Sequence, residues 1–169
     1  MDWNRSGFDV TMPLIDIVAI LSAKYAVAVP IAVVVIAWLR NRAHFSPTAF
    51  VIGGALAAIV TYVVGRAGYD ARPFVVLKVA PLVTHPADNG FPSDHLVLAA
   101  YASTYAAFFD RRLAAIAFFA SAALAAARVF CLLHWPIDIA AGTLIGALCA
   151  VAMDPFRRTI AAKRIRARD

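Results

Sequence analysis

Five long apolar runs divide this chain: Tyr25–Leu39, Ala49–Val64, His95–Phe109, Leu113–Ala127 and Ile137–Met153. Their middles carry no Asp, Glu, Lys, Arg or His. Each is slightly shorter than the ~20 residues a straight helix needs to cross a ~30 Å hydrocarbon layer, so flanking residues are expected to extend each by a turn. The chain has 169 residues, 63% of them hydrophobic and 15% charged. A soluble domain is closer to about half apolar and about a quarter charged. This excess of Ala, Val, Ile, Leu and Phe is more than one soluble core can hide. The expected fold is therefore all-α: a polytopic membrane helical bundle of about five transmembrane helices, forming a single domain over residues 1–169.

The segment before the first run reads "TMPLIDIVAILSAKY". Leu14, Ile15, Ile17, Val18 and Leu21 can share one side, which suits an amphipathic helix on the membrane surface. A tilted extension of the first span suits it equally, so residues 12–24 lie either on or in the membrane. The opening "MDWNRSGFDV" lacks the basic region, apolar core and small-residue cleavage site of a signal peptide, so the first span is expected to serve as the targeting signal. Gly53, Gly54, Gly142 and Gly146 suit close helix packing. Cys131 and Cys149 show no metal-ligand spacing and read as small core residues.

The net charge is +6, and the basic residues gather in short segments between apolar runs. That pattern fits membrane topology, and no aromatic–basic interleaving suggests a nucleic-acid partner. Arg40 and Arg42 precede the second span, Arg111 and Arg112 follow the third, and a basic tail at 154–169 follows the fifth. With five spans all three regions share one side, which the positive-inside rule makes cytoplasmic. The tail then touches anionic lipid. Residues 1–24, the long Gly65–Pro92 connection and the fourth-to-fifth connection face outward. A connection as long as Gly65–Pro92 commonly carries function.

Three polar clusters fall on that outer face: "GRAGYDARPF" with Arg66 and Arg72, "GFPSDH" with Ser93, Asp94 and His95, and "ARVFCLLHWPID" with Arg128, His134 and Asp138. Pro136 fits the first turn of a helix. Asp138, four residues past His134, can lie on the same face and accept from one ring nitrogen, leaving the other free. Ser93 is a good N-cap for the third span, whose first-turn N–H groups favour an anion. His95 in that turn can give a proton to a leaving oxygen. Arg72 and Arg128 offer planar forks of donors to phosphate oxygens. Each piece has a plainer reading: an interfacial histidine, a capping aspartate, a snorkelling arginine. Three clusters on one face make that combination improbable. Divalent-metal catalysis fits less well, since arginines crowd the site and no HExxH is present. Ser93 as nucleophile remains open, although "FPSDH" is not GxSxG.

These residues make the chain resemble the type 2 phosphatidic acid phosphatase superfamily, whose pattern is Lys-x6-Arg-Pro, Pro-Ser-Gly-His and Ser-Arg-x5-His-x3-Asp. The matching pieces are Arg72-Pro73, Pro92-Ser93-Asp94-His95 and Arg128-x5-His134-x3-Asp138. Three positions depart from the pattern. Gly65 stands at the lysine, with Arg66 beside it as stand-in and Lys78 as the weaker alternative. Asp94 replaces a glycine, and Ala127 replaces a serine. "FPSDH" resembles the bacitracin-resistance type of undecaprenyl pyrophosphate phosphatase, whose work belongs to cell-wall biogenesis. The resemblance implies a bacterial plasma-membrane hydrolase acting at the outer face on a lipid pyrophosphate, without metal or cofactor. It implies that His134 attacks phosphorus, Asp138 orients it and His95 handles the leaving-group proton. Arg66, Arg72, Arg128, Ser93 and Asp94 would surround the phosphate. The alternatives are a phosphatase for phosphatidylglycerol phosphate, phosphatidate or lipid A, or a non-catalytic transporter or lipid-binding protein. A transporter is expected to place ionisable groups near the midplane, where these spans have none.

Overall fold

The computed structural model describes residues 12–166; the first part of the expected N-terminal segment and the last residues of the basic tail lie outside it. The described residues form seven helices. They are α1 (Leu14–Tyr25), α2 (Ala28–Arg40), α3 (Pro47–Ala67), α4 (Pro73–Val76), α5 (Asp94–Ala107), α6 (Arg111–Phe130) and α7 (Pro136–Arg166). The fold is the expected helical bundle, and each apolar run lies within or largely within one helix. Helices α3, α6 and α7 are long and apolar enough to span a membrane, and α1 with α2 passes the same test as a pair bent by 47°.

Helix α5 has only 14 residues, ~21 Å at the usual rise. It can be short because protein surrounds it. Its buried residues run from Leu96 to Ala106, and α2, α3, α6 and α7 pack around it. Tyr101 and Tyr105 fill the centre, donating to Phe50 O at 2.6 Å and Ser46 O at 3.0 Å. Phe45, Phe50, Phe108 and Phe109 stack about them. Gly142 and Gly146 let α7 approach α5 closely, as expected. A Cβ at Gly142 would lie 2.6 Å from Ser93 O, and one at Gly146 would strike Val97 O.

Helix starts follow local sequence. Ser46 Oγ accepts from Ala49 N at 3.2 Å with Pro47 in the first turn. Asp110 Oδ1 accepts from Arg112 N and Leu113 N. One expectation needs correction. The fifth span continues past Met153 and through Pro155 to Arg166, so the described part of the basic tail is helix. Asp154 pairs forward with Arg157 and Arg158, holding together the turn in which proline lacks its N–H. The α1 segment, left open between surface and span, is a helix that buries Ala19 and Ala23 against Ala127, Cys131 and Leu133. Its Leu14, Ile15, Ile17, Val18 and Leu21 are exposed, as a lipid-facing side would be. Cys131 and Cys149 are free and buried.

The bundle has two chemically different ends. The α2–α3 and α5–α6 junctions and the last turns of α7 carry the basic residues; there Arg40 meets Asp110 at 3.5 Å and Arg164 meets Phe45 O at 3.4 Å. The opposite end gathers α4, the start of α5, the end of α6 and the start of α7.

Candidate active site

The α6–α7 turn places two of the site residues. After Phe130 the chain closes a Schellman motif: Leu132 N donates to Val129 O and Leu133 N to Arg128 O, both at 3.0 Å. Leu132 takes the left-handed position, φ 57°, where glycine is usual. That reversal returns the chain over the last turn of α6, so His134 comes to face Arg128. Pro136 then starts α7, and Asp138 reaches back to accept from Trp135 N at 2.8 Å, as the acid of a capping box does. The capping reading of Asp138 is therefore realised, and the same Oδ2 lies 3.4 Å from His134 Nδ1.

Arg72 arrives from the long α3–α5 connection. Asn89 shapes that loop: its Nδ2 donates to Gly65 O and Gly68 O, and its Oδ1 accepts from Asp70 N and Phe91 N. Trp135 Nε1 pins Ala71 O at 2.9 Å, and Phe74 N donates to Leu132 O. The Arg72 side chain is buried and heavily committed. Its Nε donates to Asp88 Oδ1 at 2.7 Å, Nη1 to Leu133 O at 2.9 Å and Nη2 to Asn89 O at 3.3 Å. Burial works to raise the Asp88 carboxyl, but the hydrogen bond and charge of Arg72, with the charge of nearby His85, together hold it below its ordinary range.

His134 is 3% exposed. Its Nδ1 lies 2.9 Å from Gly90 O, which can only accept, so Nδ1 carries the proton and Nε2 keeps a lone pair. Both arginines converge on that lone pair, Arg72 Nη1 and Arg128 Nη2 each at 3.2 Å. Burial, reinforced by the charges of Arg128 and Arg72, pushes the imidazole down to about 3. It is thus neutral at ordinary pH and nucleophilic at Nε2. Arg128 is 3% exposed and anchored by Nη1 to Ala23 O of α1, with its Nε unbonded. Among the described residues no carboxylate lies within ion-pair distance of it. Two guanidinium groups converging on one neutral nitrogen form a cradle for an anion.

The other expected residues fall around this cluster. Ser93 occupies the N-cap position of α5, but its Oγ makes no capping bond, which corrects the expectation from sequence. The hydroxyl is fully buried and unpartnered, while Ser93 N donates to Asp138 O at 3.2 Å. Asp138 Oδ1 is likewise buried without a partner. His95 is half-buried in the first turn of α5, close enough to Arg128, Arg72 and His85 to feel their charge. Arg66 and Asp94 are exposed and make no hydrogen bond or ion pair with His134; they line a neighbouring cavity of about 500 Å³ between α3 and α5. Lys78 is exposed and joins neither group.

Sequence reasoning missed four contributors: the carbonyls of Gly90, Leu133 and Ala23, and the Asn89–Asp88 loop. Carbonyl acceptors leave no mark on residue type. Asn89, inside "ADNGF", was the readable signal, since Asn beside Gly marks a shaped turn.

Comparison with known proteins adds a second line. The PAP2 superfamily matches residues 47–160. Over 102 residues the chain is 31% identical to the Bacitracin transport permease protein BcrC of Bacillus licheniformis, covering 60% of this chain and 50% of that protein. Over 139 residues it is 25% identical to the Undecaprenyl-diphosphatase BcrC of Bacillus subtilis, covering 80% of this chain and 70% of that protein. The match thus spans half the length of the first relative. In architecture the chain resembles the crystal structure of a transmembrane PAP2 type phosphatidylglycerolphosphate phosphatase from Bacillus subtilis. The TM-score is 0.69 and the identity 17%, with 89% of this chain and 80% of that one covered. At that identity the likeness shows the fold alone.

Proposed function

The chain belongs to the PAP2 superfamily, and from that premise we propose that it is an integral-membrane phosphatase removing the terminal phosphate of undecaprenyl pyrophosphate. The family and the undecaprenyl-diphosphatase relative support a phosphoric monoester hydrolase. The observation that carries the mechanism is the divided work of His134: Nδ1–H held by Gly90 O, Nε2 free of a proton and aimed between two arginines.

Without substrate, the arginine N–H groups occupy the Nε2 lone pair. A terminal phosphate entering the cradle draws those donors onto its oxygens and releases the lone pair. Nε2 then attacks phosphorus, and the bond from phosphorus to the bridging oxygen breaks. His95 gives that oxygen a proton, so the lipid monophosphate departs. The imidazole becomes cationic, balanced by Asp138 and by the Gly90 carbonyl. In the second step water attacks the phosphohistidine, His95 takes its proton, and inorganic phosphate leaves with Nε2 restored. Arg72, Arg128 and the Ser93 hydroxyl stabilise the charge that spreads over the phosphoryl oxygens. This chemistry needs only positioned side chains.

The site lies at the end of the bundle opposite the basic junctions. The positive-inside rule supports an outward-facing site in a plasma membrane, with the lipid tail in the bilayer and the headgroup at the helix ends. The test is phosphate release by purified protein from undecaprenyl pyrophosphate, phosphatidylglycerol phosphate, phosphatidate and lipid A, assayed in parallel. The proposal expects the highest kcat/KM on undecaprenyl pyrophosphate. Preference for another lipid would reassign the substrate, and release from none would remove the enzyme reading.

A further inference from the structure

The cavity beside the His134 cluster has a polar mouth and an apolar body. Arg66, Asn89 and Asp94 form the mouth; Ala57, Ala58, Leu98 and Tyr101 line the body. The body has room to spare at Gly54, where a Cβ would come no nearer than 3.8 Å to the Tyr101 ring. About 500 Å³ is ligand-sized. The cavity shares a wall with the candidate site at Asn89. This residue lines the mouth, its carbonyl accepts from Arg72, and the next carbonyl, that of Gly90, holds His134.

Arg66 has a different setting from the other two arginines. Arg72 and Arg128 are buried and both touch His134 Nε2. Arg66 is exposed at the end of α3, and makes no hydrogen bond or ion pair with another described residue. It faces the cavity together with a carboxylate, Asp94, from the start of α5. A second phosphate at that mouth would be repelled by Asp94 and needs a cation to hold it.

Building on the phosphatase reading above, we propose that this cavity takes the lipid-linked phosphate and the adjoining stretch of polyprenyl chain, and that Arg66 selects diphosphate over monophosphate lipids. With the terminal phosphate at His134, the next phosphate of a diphosphate lipid reaches the mouth and meets the Arg66 guanidinium. A monophosphate lipid places an uncharged glycerol ester there and gains little from Arg66. The apolar body receives the chain, while Asp94 disfavours anions that Arg66 does not clamp.

The test compares kcat/KM of full-length wild type, Arg66→Ala and Arg66→Lys on undecaprenyl pyrophosphate and on phosphatidate in the same nanodiscs. Arg66→Ala is expected to lower the diphosphate value by about tenfold or more, chiefly through KM, as loss of a charge-assisted phosphate contact does. The phosphatidate value should fall by a clearly smaller factor, and Arg66→Lys should recover most of the diphosphate loss. Equal proportional losses on the two lipids would overturn the inference by placing Arg66 on the reacting phosphate, and so would an unchanged diphosphate value. Either of those results with an active wild type leaves the phosphatase reading standing. A wild type inactive on both lipids removes the two together.

Discussion

At the basic end of the bundle Arg157 is 7% exposed, its Nε donates to Asp154 at 2.9 Å, and its guanidinium lies over the rings of Phe108 and Phe109. At the other end Arg128 is 3% exposed, with a carbonyl and a neutral imidazole for partners and an unbonded Nε. Both arginines are buried, but only the first has its counter-charge. An uncompensated buried cation is costly, so a fold keeps one where something else supplies the anion. The unpartnered Ser93 Oγ and Asp138 Oδ1 lie at that same end. Paired charge holds the basic end together; on the proposed reading, unpaired charge marks where a phosphate binds.

That contrast can be broken by exchanging consequences between the ends. The largest effect is expected from Arg128→Ala or Arg72→Ala, each lowering kcat by about 10²–10³-fold, as the loss of a donor to a developing anion does. Arg128→Ala should not unfold the protein, because removing an unpaired charge relieves repulsion; Arg72→Ala, which strips Asp88 of its partner and frees the Leu133 and Asn89 carbonyls, should also lower stability. Phosphate-release assays with thermal unfolding in detergent read both quantities. Activity within a few-fold of wild type would erase the distinction.

Asp154→Ala is the mirror experiment. It strips Arg157 of its partner and should cost about 3 kcal/mol of stability, the usual penalty for breaking a buried pair. The surviving folded protein should keep its kcat. Arg158→Ala, on the exposed side of the same carboxylate, should cost about 0.5 kcal/mol or less. Denaturation midpoints that do not separate these two variants would argue against Arg157 as the paired counterpart of Arg128.

The smallest effect is a pH signature. Because the His134 imidazole sits at about 3 against an ordinary 6.5, it stays neutral in the folded protein between those values while the unfolded chain takes up a proton. The unfolded state binds more protons in that window, so stability rises with pH across it and is lost as pH falls from 6.5 towards 3. His134→Asn should flatten this slope. In kcat/KM the acid limb assigned to His134 should lie well below 6.5. A limb near 6.5 that disappears in the variant would contradict the buried, neutral imidazole.

Much of this was legible in the sequence because helices convert spacing into geometry. Arg128-x5-His134-x3-Asp138 spans one helix end, one turn and one helix start, and the structure places His134 against both flanking residues. The apolar runs were legible because a bilayer demands long uncharged helices. Other features depended on folding that spacing does not encode. The Leu132 turn puts leucine where a glycine would have announced the helix end. The Nδ1 proton goes to Gly90 O at 2.9 Å, nearer than Asp138, and no backbone carbonyl can be read from residue type. Helix α7 runs through Pro155, which ordinarily signals a stop, because the Asp154 pairs brace that turn. Arg66, adjacent in sequence to the expected lysine position, stands at the mouth of the adjoining cavity and makes no contact with His134.

The central claim is that His134 Nε2 becomes covalently phosphorylated. The most direct measurement is rapid quench of wild type during turnover of undecaprenyl pyrophosphate labelled in its terminal phosphate, followed by peptide mapping. The account predicts label on the peptide carrying His134, stable in base and lost in acid, and absent from His134→Ala along with turnover. An active wild type that never carries label, or a His134→Ala variant that still releases phosphate at the wild-type rate, would contradict it.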